Sequence, residues 1–198
     1  QAVVTTYQAS FHTRLAPGDD TPFSFVAYGD SANAPAATGF RQVQGRINQI
    51  DPDFAVLLGD NVYNNGTHSE MDARFDPSVN PEAALWTSSH IDYFAVGNHD
   101  IGSAGGQPSR DNFAVPIPVA GVDSPVAPPG SEPTEHNFSW DYGDVHFVTF
   151  DSNSLNNASR LNNLLTYVEQ DLAASSATWK IVYAHHPVAG VPDKPESP

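Results

Sequence analysis

Four side chains of the types that bind metal ions follow apolar segments of this sequence. Asp30 and Asp60 each come after a glycine that ends an apolar run, and Asn98 and His185 have comparable positions further along the chain. Carboxylate and amide oxygens together with an imidazole suit Fe, Zn or Mn far better than Ca or Cu. Because one carboxylate can bridge two cations, such a set could form a dinuclear centre, which clamps the attacking and leaving oxygens in phosphoryl transfer.

The two residues after Asn98 could move a proton in such a reaction. Metals lower the pKa of a bound water from about 16 to roughly 7, so that hydroxide becomes available as the nucleophile. His99 could then protonate the leaving group, and Asp100 could orient the His99 ring. A further polar residue at a strand end, Asp151, is not needed for this chemistry, and we interpret it as the cap of a turn.

Each of these residues follows a segment with the pattern of a buried β-strand, a short and nearly continuous apolar run. The pattern occurs five times, at residues 25–30, 54–60, 93–100, 145–151 and 180–186. In α/β proteins, ligand sites form at the carboxyl ends of the strands. Five repetitions of one design therefore predict a shared site.

The segments between these strands predict helices and loops. A helix that connects the first two strands is predicted by apolar residues at helical spacing, namely Phe40, Val43, Ile47 and Ile50. It would complete a βαβ unit with parallel strands and a right-handed crossover. The other predicted elements are strands in residues 2–13, short helices at 71–75 and 81–88, an irregular loop at 102–133, a hairpin at 137–147 and a helix at 161–172.

The composition narrows the classes of function. The 198 residues include 23 acidic and 8 basic side chains, which gives a net charge of −15. This charge argues against nucleic acids and anionic membranes as partners, because both require a basic surface. The chain has no cysteine, so disulfides and thiolate metal sites are excluded. The acidity, the scarce lysine and the abundant proline favour a secreted or extracytoplasmic protein.

Taken in order, the strand-end motifs resemble four of the five sequence blocks of the calcineurin-like metallophosphoesterases. The motifs are Gly29-Asp30, Gly59-Asp60-Asn61-Val62-Tyr63, Gly97-Asn98-His99-Asp100 and Val182-Tyr183-Ala184-His185. The spacing Gly-Asp-x-x-Tyr is similar to that of the purple acid phosphatase branch. Other branches begin with Asp-x-His, whose histidine would fall at Ala32. The loss of that imidazole fits the branch in which a tyrosinate, here Tyr63, binds the first metal instead.

The resemblance implies the role of each residue in the site. Asp30, Asp60 and Tyr63 would bind one metal, and Asp60 would bridge to a second metal bound by Asn98 and His185. The two metal ions would be Fe with Zn, Mn or Fe, and the substrate a small-molecule phosphate ester. His99 and Asp100 would be the catalytic residues. Two more histidines, His136 and His186, are candidates for contact with the substrate phosphate, with a structural hydrogen bond as the alternative.

The resemblance also implies the fold and the organisation of domains. It predicts an α/β protein with the metallophosphoesterase-type α/β/β/α sandwich and mixed sheets, incomplete at the C-terminus. A fifth family block, Gly-His-x-His, would give each metal one more histidine, but no Gly-His pair occurs in this sequence. We therefore expect residues 21–198 to be the N-terminal part of a catalytic domain, and residues 1–20 a remnant of a preceding fibronectin-like domain or linker. A second chain or a missing C-terminal fragment would supply the two histidines.

Three functional hypotheses follow from these expectations. The first is a dinuclear metal-dependent hydrolase in which a metal-bound hydroxide attacks the phosphorus of a phosphate monoester. The second keeps the metals but makes the protein a phosphodiesterase or nucleotidase of the same superfamily. The third is a catalytically inactive fragment that acts as a binding module.

Overall fold

A computed structural model describes residues 10–114, 134–153 and 158–187 of the chain. Two short 3-10 helices lie at Ala104–Gly106 and Thr134–His136. The remaining elements, in chain order, are β1 (Phe25–Tyr28), α1 (Thr38–Ile50), β2 (Phe54–Leu58), α2 (His68–Phe75), α3 (Pro81–Thr87), β3 (Asp92–Ala95), α4 (Gln107–Asn112), β4 (Phe138–Tyr142), β5 (Val145–Thr149), α5 (Ala158–Ala174) and β6 (Trp179–Tyr183).

The six strands form two sheets of three strands each. In the first sheet, β2 pairs in parallel with both β1 and β3, with Ala27 opposite Val56 and Leu57 opposite Phe94. In the second sheet, β4 and β5 form an antiparallel hairpin, and β6 pairs in parallel with β5. The predicted parallel pair, the hairpin and the mixture of strand directions are confirmed.

Strand β2 shows how the layers are arranged, because successive side chains of a strand point to opposite faces. Ala55 and Leu57 belong to a core between the first sheet and the helices, which also contains Ile47 of α1. Phe54 and Val56 belong to a second core between the two sheets, which is rich in aromatic side chains. With α5 on the outer face of the second sheet, the layers are helices, sheet, sheet and helix, as predicted.

The buried face of α1 differs from the predicted one. Val43 and Ile50 are 53% and 61% exposed, whereas Gln44 and Ile47 are buried. The Gln44 side chain donates to the hydroxyl of Tyr28 at 2.9 Å, so a polar residue can occupy the face that contacts the sheet. The apolar spacing therefore predicted the helix correctly but not its rotation about its own axis.

Two other predictions need correction or fall outside the described residues. The predicted irregular loop at 102–133 contains helix α4, in whose last turn the side chain of Arg110 donates to the Gly105 carbonyl. Residues 115–133 of this loop lie outside the described residues. The strands predicted in residues 2–13 lie mostly outside them as well, and residues 10–13 form no strand. Residues 15–18 contact the turn between β4 and β5, where the Gly18 amide donates to the Gly143 carbonyl at 2.9 Å.

Within the described parts of the chain, no helix is both long enough and apolar enough to cross a membrane.

Helix α5 is joined to the second sheet by a buried histidine between two carboxylates. His146 of β5 lies with Nδ1 2.6 Å from Asp141 of β4 and with Nε2 2.7 Å from Asp171 of α5. Ser139 also donates to Asp171 at 3.0 Å. Since both ring nitrogens face carboxylate oxygens, both must donate, which is the geometry of the imidazolium form. Burial lowers the pKa of His146, but the hydrogen bonds that its ring donates to Asp171 and Asp141 outweigh burial and raise the pKa above its usual value.

This arrangement predicts a pH-dependent stability. A histidine whose pKa is raised by folding contributes stability fully below its unfolded pKa of about 6.5 and loses it as the pH rises through the folded pKa. We expect His146→Gln to lower the free energy of unfolding at pH 6 by about 2 to 3 kcal/mol. This loss is somewhat smaller than the loss when a fully buried ion pair is broken, because Asp141 is partly exposed. The deficit should shrink at pH 9, as measured by denaturant titration.

The control is His68→Gln, since the His68 side chain is 60% exposed and lies 3.4 Å from Asp111. This variant should be nearly neutral at both pH values. A deficit for His146→Gln of the same size at pH 6 and pH 9 would contradict the assignment of a charged His146.

Candidate metal centre

The predicted metal ligands lie at the carboxyl ends of four strands. Asp30, Asp60 and Asn98 follow β1, β2 and β3, and His185 follows β6 of the second sheet. Asp30 and Asp60 have positive φ angles of 50° and 48°, a region that non-glycine residues rarely adopt. Such backbone strain is maintained only where surrounding contacts hold it, and it is common at functional sites.

The structure brings three donor groups close together. Oxygen atoms of Asp30 and Asp60 and a ring nitrogen of His185 all lie within 4.8 Å of one another. Nε2 of His185 is 3.4 Å from Oδ2 of Asp60 and 3.2 Å from Oδ1 of Asn98. Its Nδ1 lies 3.0 Å from the carbonyl oxygen of Leu58, to which it must donate because a carbonyl only accepts. This hydrogen bond places the proton on Nδ1 and directs Nε2 toward the carboxylates, as is usual for histidines that bind metals.

Tyr63 completes the group on the side of Asp30. Its hydroxyl donates to Oδ1 of Asp30 at 3.2 Å. Burial raises the pKa of Tyr63, and the negative charges of Asp60 and Asp30 raise it further. The phenol therefore stays protonated in the absence of a cation, and a cation bound beside it would favour the tyrosinate.

The contact between Asp60 and His185 changes the pKa of both side chains. Asp60 is only 3% exposed, and burial alone would raise its pKa. The hydrogen bond from His185 and that from the backbone amide of His99, at 2.9 Å, outweigh burial and lower the pKa of Asp60. The same contact with Asp60 raises the pKa of His185. The contact between the two side chains therefore favours the charged form of each.

His99 lies at the edge of the centre, with its side chain 34% exposed. Its Nε2 is 3.9 Å from Oδ2 of Asp60, and its ring lies 4.5 Å from the ring of Tyr63. Nδ1 is 2.6 Å from the carbonyl oxygen of Asn64 and must donate to it. Nε2 is therefore the nitrogen that faces the site.

The structure corrects the predicted role of Asp100. Its carboxylate does not orient the His99 ring, which the Asn64 carbonyl holds instead. Asp100 is fully buried and accepts hydrogen bonds from the backbone amides of Asn61 and Gly97, at 2.8 Å each, and from the side chain of Asn61 at 2.9 Å. Burial raises the pKa of Asp100 to about 6 against the opposing effect of these donors. Asp100 therefore joins the loops after β2 and β3.

The two predicted substrate-binding histidines differ in position. His136 is 1% exposed, with Nε2 3.3 Å from Arg110 and Nδ1 3.8 Å from Asp151, and these contacts favour the structural alternative. His186 is half-buried next to His185, with ring centroids 4.9 Å apart, and its Nδ1 pairs with the Ser152 hydroxyl at 2.8 Å. Contact between His186 and phosphate stays a prediction. Oδ1 of Asp151 accepts from the Asn153 amide at 2.9 Å, as expected for the cap of a turn.

The residues at the centre fit metal ions in their chemistry. They are hard oxygen or imidazole donors that follow strands of both sheets and lie near one another, namely Asp30, Asp60, Asn98, Tyr63 and His185. Two carboxylates and one phenol with only a histidine to balance them form a site that a cation would stabilise. The donor set excludes thiolates and matches the metals that prefer oxygen and imidazole.

Sequence reasoning missed two buried residues that contact the loops carrying the predicted ligands. Asn61 donates to the Ala95 carbonyl and to Asp100, both at 2.9 Å. Arg74 of α2 is 1% exposed and donates to the Asn61 carbonyl. The available signal was a lone arginine between Met71 and Phe75 on a short helix of a strongly acidic chain, which the apolar pattern alone did not explain.

Comparisons with known proteins show the family to which the chain belongs. A sequence model of the calcineurin-like phosphoesterase family matches residues 24–198. Because this match covers most of the chain, the chain belongs to the calcineurin-like phosphoesterase family. The resemblance inferred from the strand-end motifs is confirmed.

The individual relatives are purple acid phosphatases. Purple acid phosphatase 4 of Arabidopsis thaliana is 30% identical over 194 residues, which cover 87% of this chain and 54% of the relative. Purple acid phosphatase 17 of the same plant is 30% identical over 158 residues, covering 74% and 46%. The purple acid phosphatase PPD1 from yellow lupin (Lupinus luteus) seeds matches in fold, with a TM-score of 0.60 at 19% identity over 86% of this chain and 31% of that one. The chain spans about half the length of the curated relatives it matches.

Close packing around Gly97 gives a test of the site that does not depend on activity. A Cβ atom on Gly97 would overlap the Asp60 carboxylate and backbone amide. Gly97→Ala should therefore displace Asp60, destabilise the protein by about 1 to 3 kcal/mol and abolish stoichiometric binding of Zn²⁺. Isothermal titration calorimetry and thermal unfolding would measure the two effects.

Gly39→Ala is the matched control, because a Cβ atom there meets nothing within 4 Å. This variant should bind Zn²⁺ like the wild type and be neutral or slightly more stable, since alanine is favoured over glycine in a helix. Unchanged Zn²⁺ binding by Gly97→Ala would show that Asp60 is not a ligand.

Proposed function

We propose that this protein is a metal-dependent phosphatase that hydrolyses phosphate monoesters at a dinuclear centre. The observation that supports the proposal most is the convergence of Asp30, Asp60 and His185, whose donor atoms lie within 4.8 Å of one another at the carboxyl ends of three strands. Family membership and the relatives among the purple acid phosphatases support the same class of reaction.

We propose the following distribution of ligands. Asp30 and Tyr63 would hold one metal, Asn98 and His185 a second, and Asp60, which lies between the two groups, would reach both. Iron with zinc, manganese or a second iron suits these oxygen and imidazole donors. When bound, the metals would polarise the phosphoryl oxygens and lower the pKa of a water molecule. We also propose that the substrate is a small-molecule phosphate ester and that the protein is secreted or extracytoplasmic.

The residues of the chain itself would position the substrate and deliver a proton. In its imidazolium form, His99 would keep one proton on Nδ1, hydrogen-bonded to the Asn64 carbonyl, and would give the proton on Nε2, which faces the site, to the departing oxygen. His99 is partly exposed and lies against Tyr63, which leaves room for a leaving group on the solvent side. His186, fixed by Ser152, is a further candidate for contact with phosphate.

The central experiment compares Asp60→Asn with Asp72→Asn in the natural protein that contains this sequence. Asp60 is buried among the proposed ligands, whereas Asp72 is an exposed carboxylate on α2. We expect Asp60→Asn to lose at least 100-fold in kcat for p-nitrophenyl phosphate, about 3 kcal/mol of transition-state stabilisation, while Asp72→Asn keeps wild-type activity. Equal activity of Asp60→Asn and wild type after metal loading would overturn the proposal. Preference for bis-p-nitrophenyl phosphate would redirect it to diesters.

A second test addresses the phenol. With ferric iron bound, a tyrosinate ligand should give a visible absorption band, and Tyr63→Phe should abolish that band while leaving the far-ultraviolet circular dichroism unchanged. The phenol contacts Asp30 through one hydrogen bond, so its removal should disturb the fold little. A band of undiminished intensity in Tyr63→Phe would exclude Tyr63 as a ligand.

A further inference from the structure

One buried arginine contacts the two loops that carry the carboxylate ligands. Arg74 of α2 is 1% exposed. Its Nη1 donates to the hydroxyl of Ser31 at 2.8 Å and to the carbonyl oxygen of Asn61 at 2.6 Å. Ser31 directly follows Asp30, and Asn61 directly follows Asp60. A single guanidinium nitrogen thus joins the residues that come after the two carboxylates.

The guanidinium group of Arg74 also contacts three aromatic residues. Nη2 of Arg74 donates to the hydroxyl of Tyr28 at 3.3 Å, and the guanidinium carbon lies 5.6 Å and 5.4 Å from the ring centroids of Phe40 and Phe75. The carbonyl oxygen of Arg74 accepts from the side chain of Asn80 at 3.1 Å. Because planar guanidinium groups hold several acceptors in one rigid geometry, the position of this group is well defined.

The loops that Arg74 joins are the strained ones. Asp30, Ala32 and Asp60 have φ angles of 50°, 58° and 48°. Each such residue costs about 1 to 3 kcal/mol and requires surrounding contacts to hold it. Two backbone hydrogen bonds connect the loops directly, from the Asp30 amide to the Gly59 carbonyl at 3.0 Å and from the Ser31 amide to the Asp60 carbonyl at 3.1 Å. Arg74 adds the side-chain contacts that fix both loops relative to α2.

We propose that Arg74 is a positioning residue that sets the spacing between Asp30 and Asp60 and thereby the metal affinity of the centre. The hydrogen bonds of the Arg74 side chain go to Ser31, Asn61 and Tyr28 rather than to the proposed ligand atoms, so it would act on them through Ser31 and Asn61. The inference rests on the proposed function, since it requires the two carboxylates to bind metal. Outer contacts of this kind typically contribute about 10- to 100-fold to metal affinity.

The test measures Zn²⁺ affinity in the natural protein that contains this sequence, by calorimetric competition with a chelator at a temperature where every variant is folded. Arg74→Lys keeps the positive charge but cannot hold both acceptors in one plane, and Arg74→Met removes the charge. We expect both to raise the dissociation constant for Zn²⁺ by about tenfold or more. Arg46→Met is the control, because Arg46 is exposed on α1, where its Nη1 donates to the Gln49 side chain at 3.0 Å. This variant should bind Zn²⁺ like the wild type.

A milder variant separates positioning from stability. Ser31→Ala leaves Arg74 in place and removes one of its acceptors, so it should raise the dissociation constant by a smaller factor and change it little further when combined with Arg74→Lys. A purely structural Arg74 would lower the unfolding temperature without changing the affinity of the folded protein. An unchanged dissociation constant in folded Arg74→Lys would therefore overturn the inference, and if the Arg74 variants do not fold, an unchanged constant in Ser31→Ala would do so.

The same titrations distinguish the two proposals. Failure of the wild type to bind Zn²⁺ would overturn the proposed function and this inference with it. The other outcome is that the wild type binds Zn²⁺ stoichiometrically, that Asp60→Asn does not bind it, and that the folded Arg74 variants have the same dissociation constant as the wild type. This outcome would overturn only the inference.

Discussion

The parallel pairing of β1, β2 and β3 is the constraint on which the rest of the structure depends. Strand β2 is buried on both faces, with Phe54 in the core between the sheets and Leu57 in the core under the helices. A shift of one residue would exchange the two faces, so packing along the whole strand determines the register. Because the three strands run in the same direction, their carboxyl ends reach one edge together, and Asp30 and Asp60 meet there.

Bringing acidic groups together at a sheet edge requires compensation, and the structure supplies it locally. The buried carboxylate of Asp60 accepts from the His99 amide and faces His185. That of Asp100 accepts from the loops after β2 and β3. The guanidinium of Arg74 lies below both ligand loops and adds a fixed positive charge. Asp30 is the exposed member, so the charge that is left uncompensated faces the solvent, where a cation would enter.

Patterns within short segments predicted a large part of this fold and site. The order of the strands, the parallel β1–β2 pair of the βαβ unit and helix α3 depend on neighbouring residues and were predicted correctly. The predicted burial holds for β2 but not for β1 and β6, where Phe25 and Trp179 are 38% and 67% exposed. The errors concern contacts between residues far apart in sequence. Val43 is exposed, whereas Gln44 is buried and donates a hydrogen bond to the hydroxyl of Tyr28. The ring of His99 is oriented by the Asn64 carbonyl rather than by Asp100. Periodicity and spacing contain no information about such partners.

The sequence by itself determined which residues could bind metal, because their types and their places after apolar strands follow from the order of residues alone. Only the tertiary structure decided which atoms converge, which histidine is buried and which side chain holds the ligand loops. His136 and His186 look equally suited to a phosphate in the sequence, yet one is enclosed beside Arg110 and the other lies next to His185. The physical reason is that burial and hydrogen-bond partners are set by long-range packing between the two sheets and the helices, whereas the strand ends are set by local hydrophobic pattern.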